Sequence, residues 1–365
     1  MPKTQNRAVM IWIFAFGSVA VFLVIFGGFV RLTRSGLSIA EWNPVMGAVP
    51  PLNQQAWQTE FARYQLTPEF QKVNYAMTLD QYKEIFMIEW FHRFIARLAG
   101  FIFAIPFFVF VFKKTIPWKE VGLYVVMGIL FLAQAILGWI MVASGLVDQP
   151  AVSHYLLASH LLMALTLIGI SLWTALGHLY GFPDYSKKVK WSFASKIVLG
   201  GLIVLLIQIV YGSFTAGLKA GYISDTWPLM LGQLIPTGLL SQLQPAALNL
   251  VDAPLTVVFI HRWFAFVGLI VAILIYFVIR KANQTLSQKF PHEVMTGINV
   301  VIALVLVQIT LGILVVISHV QIAIALIHQG NAIALFSTTI YVLHRLRAAD
   351  SNSMSLRVAQ SATWQ

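Results

Sequence analysis

Cysteine is absent from all 365 residues, which removes disulfides, iron–sulfur clusters and thiolate chemistry at once. Charge is nearly as scarce. Asp, Glu, Lys and Arg together make up 10% of the chain, against roughly a quarter in a soluble domain. With 59% hydrophobic residues beside so little charge, a large soluble core is excluded as the architecture. No basic, aromatic-studded polar face accompanies the net charge of +11, so a nucleic-acid partner is excluded as well. An Arg- and Ser-rich transit segment is also missing, which favours a bacterial membrane over an organelle import route.

What is present is a series of apolar runs long enough to cross a hydrocarbon layer of about 30 Å. Eight are legible, near 9–30, 85–112, 120–143, 153–178, 192–217, 254–279, 295–317 and 320–343. The first exceeds the 7–15-residue core of a secretory signal and is expected to stay as a span. With an even number of spans both termini share one side. That side carries fifteen Lys and Arg in its connections, against six on the other. The positive-inside rule then makes both termini cytoplasmic and the protein a multi-pass resident of the bacterial inner membrane, solvated by lipid. The basic balance is a topology signal.

The chain repeats itself. Gly27-Gly28-Phe29 answers Gly212-Ser213-Phe214 at the ends of the first and fifth spans, and Trp42 and Trp227 follow at the same offset. Gln134-Ala-Ile-Leu-Gly138 in the third span matches Gln308-Ile-Thr-Leu-Gly312 in the seventh. Each repeat contains four spans, so the halves keep the same orientation, as parallel repeats do. The expectation is an all-α membrane protein built as two pseudo-symmetric four-helix bundles, residues 1–184 and 185–365. The halves are unequal in the connection after the first span: residues 31–84 are polar, punctuated by Gly and Pro, longer than their counterpart, and expected to fold over the membrane surface.

Four histidines occupy repeat-equivalent places. His92 and His160 are 68 residues apart, His261 and His328 are 67 apart, and Phe91-His92-Arg93-Phe94 aligns with Ile260-His261-Arg262-Trp263. All four enter from the non-cytoplasmic side, seven to ten residues into the second, fourth, sixth and eighth spans, a depth of roughly 10–15 Å at 1.5 Å per residue. Polar groups in hydrocarbon are costly and tend to be functional, and neutral imidazole is an axial ligand to haem iron. Two haems, each clamped between a pair of helices, account for four imidazoles at one depth better than interhelical hydrogen bonding does. Arg93 and Arg262 directly follow the first histidine of each pair, placed to neutralise haem propionates. Solvation at the interface accounts for His154, His178, His292, His319 and His344, with His154 or His319 candidates to line an access route.

Glu89 breaks the symmetry. It lies three residues before His92, on the same helix face, and its repeat partner is Val258. A carboxyl group there costs about 2.5–3.5 kcal/mol to insert. It could transfer protons, position water or stabilise a cationic intermediate; a salt bridge to Arg93 or Arg97 is the plainer alternative.

These residues carry a family resemblance. The run Gly36-Leu37-Ser38 to Trp42-Asn43-Pro44-Val45 with Gly47 and Pro50-Pro51, followed by Glu89-Trp90-Phe91-His92-Arg93, resembles haem A synthase, in the form found in proteobacteria and mitochondria. The resemblance covers essentially the whole chain. It implies oxidation of the C8 methyl of haem O to a formyl group by successive hydroxylations, giving the haem A of cytochrome oxidase. It further implies that His92 and His160 flank the substrate haem, that His261 and His328 hold a haem b for electron transfer, and that Glu89 is the essential acid. A farnesyltransferase supplying haem O is the implied partner, and a homo-oligomer is left open. Some members carry a cysteine pair in the outer loops; this chain has none. Two rivals stand beside this reading. A di-haem b, quinol-linked electron carrier would need no Glu89 asymmetry and would stack its haems across both leaflets. A transporter would need broken helices.

Overall fold

A computed structural model describes residues 5–41, 46–182, 191–285 and 289–362. Trp42, Asn43, Pro44 and Val45 of the family-like motif lie outside the described residues, as do Lys187, Lys188 and Lys190 of the charge pattern. Among the described residues every named element is helical, and eight helices are long and apolar enough to span a bilayer. They are α1 (Arg7–Leu32), α4 (Leu79–Phe112), α5 (Val121–Ser144), α6 (His154–Tyr180), α7 (Phe193–Gly217), α8 (Pro254–Thr285), α9 (His292–Ile317) and α10 (Ile322–Ala362). Two short helices, α2 (Gln54–Gln65) and α3 (Pro68–Lys72), sit between α1 and α4. Helices are the expected solution because each backbone N–H and C=O in hydrocarbon must find its partner within the segment.

The packing order places the pairs. α6 touches α1, α5, α7 and α10, and α10 touches α1, α6, α7 and α9, so these two helices form the centre of the molecule. α4 packs on α1 and α5, and α8 packs on α7 and α9, both at the periphery. Each histidine pair therefore takes one member from a central helix and one from a peripheral helix.

The two largest apolar cores lie toward the end of the bundle that carries both termini. Trp12, Ile13 and Phe16 of α1 meet Phe103 of α4 and Tyr124 of α5; the Trp12 indole donates to the Ile102 carbonyl at 2.8 Å. A second cluster runs across α6 to α10 through Leu165, Val198, Ile275, Ile298 and Phe336. Burying each such side chain contributes about 1.5–3 kcal/mol.

α10 runs well past the span expected to end near 343. Polar groups at that end hold it: Asp350 accepts from Arg347 Nη1 at 2.8 Å, from Ser195 Oγ at 2.8 Å and from the Ser192 backbone N–H at 3.2 Å, tying α10 to the N-cap of α7. Apolarity alone could not reveal this extension, because the residues that continue the helix are charged.

The segment between α1 and α4 forms a cap on the opposite face. Asn53 and Thr67 cap α2 and α3, and Thr78 and Gln81 form a reciprocal capping box that starts α4 before the apolar run begins. Tyr64 and Tyr82 stack at 4.9 Å between ring centroids, over Phe86 and Phe61. Aromatic packing thus holds the cap without a disulfide.

Within this cap, burial raises the Glu69 carboxyl above its ordinary value, with Lys219 and Arg34 pulling it partly back. A carboxyl whose folded pKa is raised contributes stability below its unfolded pKa and loses it as pH climbs through the folded value. Thermal unfolding of the wild type should therefore shift downward as pH rises from just above the ordinary carboxylate range, and Glu69→Gln should flatten that dependence. Parallel curves for the two proteins would contradict the assignment.

Candidate haem-binding site

Each of the four repeat-equivalent histidines rests on a glycine of the span before it. A Cβ on Gly27 of α1 would lie 3.3 Å from His92 Nε2, and one on Gly138 of α5 would lie 2.9 Å from His160 Cε1. A Cβ on Gly212 of α7 would come within 2.9 Å of His261 Cε1, and one on Gly312 of α9 within 3.2 Å of His328 Cε1. The repeat therefore has four beats: a glycine late in one helix leaves room for the imidazole entering on the next.

Glutamines one turn before three of these glycines reach the same histidines. Gln208 Nε2 lies 3.2 Å from His261 Nδ1 and donates to the His261 carbonyl at 2.9 Å. Gln308 Nε2 lies 3.2–3.3 Å from both ring nitrogens of His328, and its Oε1 accepts from Asn331 at 2.6 Å. Gln134 donates to the His160 carbonyl at 3.0 Å. In α1 the corresponding residue is Leu23, and its backbone carbonyl stands 3.3 Å from His92 Nε2. The sequence displayed this Gln-x3-Gly spacing three times, but spacing alone did not say where the glutamines point.

The pairs fit the group expected of them. The His261 and His328 rings stand 6.5 Å apart between centroids. An imidazole nitrogen bonds a metal ion at about 2 Å, so two rings on opposite sides of one iron come to about that separation. In the N-terminal pair, His160 Nδ1 is buried without a hydrogen-bond partner, an orphan of the kind that marks a ligand position. Among the described residues no group of three or more His, Asp or Glu could hold a metal ion.

Glu89 is 3% exposed and fully engaged. Its Oε1 accepts from Arg93 Nη2 at 2.6 Å; its Oε2 accepts from Ser38 Oγ at 2.7 Å and from the Ile39 N–H at 2.9 Å. The ion pair weighed from sequence is thus present, with Arg93 as the partner. The Gly36-Leu37-Ser38 run also acquires a physical reason: it folds the cap back onto the one buried carboxylate of α4.

Arg93 and Arg262 play matching roles toward the loops. Arg93 Nη2 donates to the Ile39 carbonyl at 3.2 Å, and Arg262 Nη2 donates to the Ser224 carbonyl, its repeat equivalent, at 2.6 Å. Arg262 also reaches the Thr226 carbonyl at 3.2 Å, while its Nε is buried without a partner. Both guanidiniums therefore clamp a loop beside a histidine, and Arg262 keeps one buried donor for a further acceptor.

Two of the five remaining histidines differ from the interfacial expectation. His178 is 6% exposed, its Nε2 lying 2.9 Å from Tyr124 O–H and its Nδ1 accepting from the Asn6 N–H at 3.2 Å. His344 is 0% exposed and packs edge-on to Trp173. Helix–helix packing at the terminal side covers both. His154 and His319 do lie at the cap side, each 3.1 Å from a carboxylate, of Asp252 and Asp225.

An integral membrane protein with two paired-imidazole sites, one of them beside a buried carboxylate, is the class these observations define. The family model COX15-CtaA, described as a cytochrome oxidase assembly protein, matches residues 10–340. Proteins named heme A synthase are similar along nearly the full length: 38% identity to that of Wolbachia pipientis wMel, covering 94% of each chain. Another from Maricaulis maris is 40% identical over 92% of this chain and 94% of its own, and one from Flavobacterium johnsoniae is 38% identical over 94% and 99%. The chain belongs to the COX15-CtaA family.

Because the Ser38 hydroxyl serves a buried carboxylate, Ser38→Ala should destabilise the protein by about 1.5–3 kcal/mol, the range for a hydrogen bond to a charged group. Denaturant or thermal titration in detergent would read this. An effect near zero would mean that Arg93 and Ile39 alone satisfy Glu89.

Proposed function

We propose that this chain is a haem A synthase, converting haem O to haem A in the membrane, and that its two histidine pairs divide the work. In this reading the N-terminal half, residues 1–184, holds substrate haem between His92 and His160, and the C-terminal half, residues 185–365, keeps a haem b between His261 and His328. When bound, the haems would supply the redox centres for converting the C8 methyl to a formyl group, a net four-electron oxidation whose electrons leave to an external acceptor. The observation that carries the division is the neighbourhood of Glu89. A carboxylate buried against Ser38, Ile39 and Arg93 flanks one pair, and Val258 stands at that place beside the other.

The protein's own residues then have distinct tasks. His92 and His160 orient the substrate ring. Glu89, held in one conformation by three donors, fixes a negative charge beside the reacting edge and is the group able to take up or release a proton there. Arg93 and Arg262 neutralise carboxylates on the haem edge while clamping their loops. The cap formed by α2 and α3 covers the Glu89 side and excludes water. Haem O arrives from a farnesyltransferase, and both termini face the cytoplasm of a bacterial cell, as the basic residues of the terminal side favour.

The di-haem electron carrier accounts for the paired imidazoles but gives Glu89 and the cap no task. Its haems would also stack across both leaflets, whereas all four histidines sit in helices entering from the cap side.

Membranes containing the protein and supplied with haem O should yield hydroxylated and formyl haems, read by mass after extraction. Glu89→Ala should abolish that conversion while leaving the C-terminal haem spectrum in place; full activity in this variant would remove Glu89 from catalysis. His261→Ala should lose haem b. Its retention there would sink the ligand assignment, and wild-type membranes returning only unchanged haem O with a di-haem spectrum would favour the carrier.

A further inference from the structure

The residue directly after His328 reaches out of its own half. Gln329 Nε2 donates to the Val24 carbonyl of α1 at 2.7 Å, a hydrogen bond between residues 305 positions apart. Gly28 makes room for it, since a Cβ at that position would overlap Gln329 Oε1 outright. The close approach continues one residue on, where a Cβ on Gly330 would lie 3.7 Å from Ile25 Cδ1.

The same turn of α1 faces the N-terminal pair. The Leu23 carbonyl, adjacent to that of Val24, stands 3.3 Å from His92 Nε2. Gly27, adjacent to Gly28, leaves the gap that the His92 ring occupies. Two consecutive carbonyls and two consecutive glycines thus serve the two pairs in alternation. One of each meets His92, and the other meets the neighbour of His328. The repeat offers no return hydrogen bond of this kind, because Leu161 follows His160 and Ser213 stands where Gly28 does.

We propose that Gln329 is a positioning residue for the N-terminal histidine pair, acting from the C-terminal half through residues 23–28 of α1. The amide fixes the axial register of α1 against α10, and α1 in turn fixes the surface against which His92 settles. Its reach is one-way: removing the amide loosens His92, whereas His328 keeps Gln308 and Asn331. The proposal rests on the reading that each pair binds a haem.

Single-site proteins separate the two ends of this contact. Full-length His261→Ala leaves the N-terminal pair to bind added haem b, and full-length His92→Ala leaves the C-terminal pair; titration is followed by the optical spectrum of bis-histidine iron. Adding Gln329→Leu should weaken uptake about tenfold in the His261→Ala protein, within the usual range of coupling between sites, and leave it within about twofold in the His92→Ala protein. Gly28→Ala, which evicts the amide while leaving the sequence of α10 unchanged, should reproduce the same loss. Gln329→Glu, which keeps the shape but removes the donor, should not restore binding. Equal affinity with and without Gln329→Leu at the N-terminal pair would overturn the proposal, and so would a loss confined to the C-terminal pair. A wild-type chain that takes up only one haem would instead overturn the two-site reading, and this proposal with it.

Discussion

Everything around the two sites depends on a steric exchange: an imidazole can enter a helix interface in hydrocarbon only where the facing helix gives up its side chain. Gly27, Gly138, Gly212 and Gly312 do this for His92, His160, His261 and His328. Small residues at helix interfaces ordinarily let backbones approach each other in lipid. Here the approach is that of a ring to a backbone, and it fixes the depth of the ring as well as its helix. The order of glycine helix followed by histidine helix is used four times, once for each of the repeat-equivalent histidines.

On this frame the halves diverge in polarity rather than in packing. Glutamines stand one turn before three of the four glycines, and Leu23 stands before the fourth. The pair that lacks a side-chain amide at His92 is the pair given Glu89, the Ser38 turn and the cap. His328, by contrast, is backed by Gln308, which Asn331 holds in turn. One pair is surrounded by groups that keep an imidazole still, and the other borders a carboxylate held by a loop. That difference is what a division between a kept haem and a converted one would require.

The eight spans and the four histidines were legible because apolar length and repeat spacing are properties of local sequence, although α4 starts six residues before its apolar run and α8 ends six residues after its own. Glu89 was legible as an asymmetry, but its environment was not. Whether an acid three residues before a histidine turns toward the ring or toward a folded-back loop depends on residues fifty positions earlier, and only the fold brings Ser38 and Ile39 to it. The helical extension beyond residue 343 was hidden for the opposite reason: charged residues end an apolar run without ending a helix when Asp350 finds Ser192, Ser195 and Arg347. Gln329 escaped notice because it looks like any polar neighbour of a ligand, and its partner lies in the other repeat.

The large apolar clusters gather near the end that carries both termini, through Trp12, Phe16, Tyr124, Val198 and Ile298, while the histidines occupy the opposite portion of the bundle. The largest cores and the four histidines are thus kept in separate storeys of one building. The joints of the lower storey are made by apolar side chains of the helices themselves, and none of the four histidines takes part in them. The two storeys can therefore vary independently: the largest cores can be repacked without moving the four histidines, and the histidine level can be rebuilt on the same foundations.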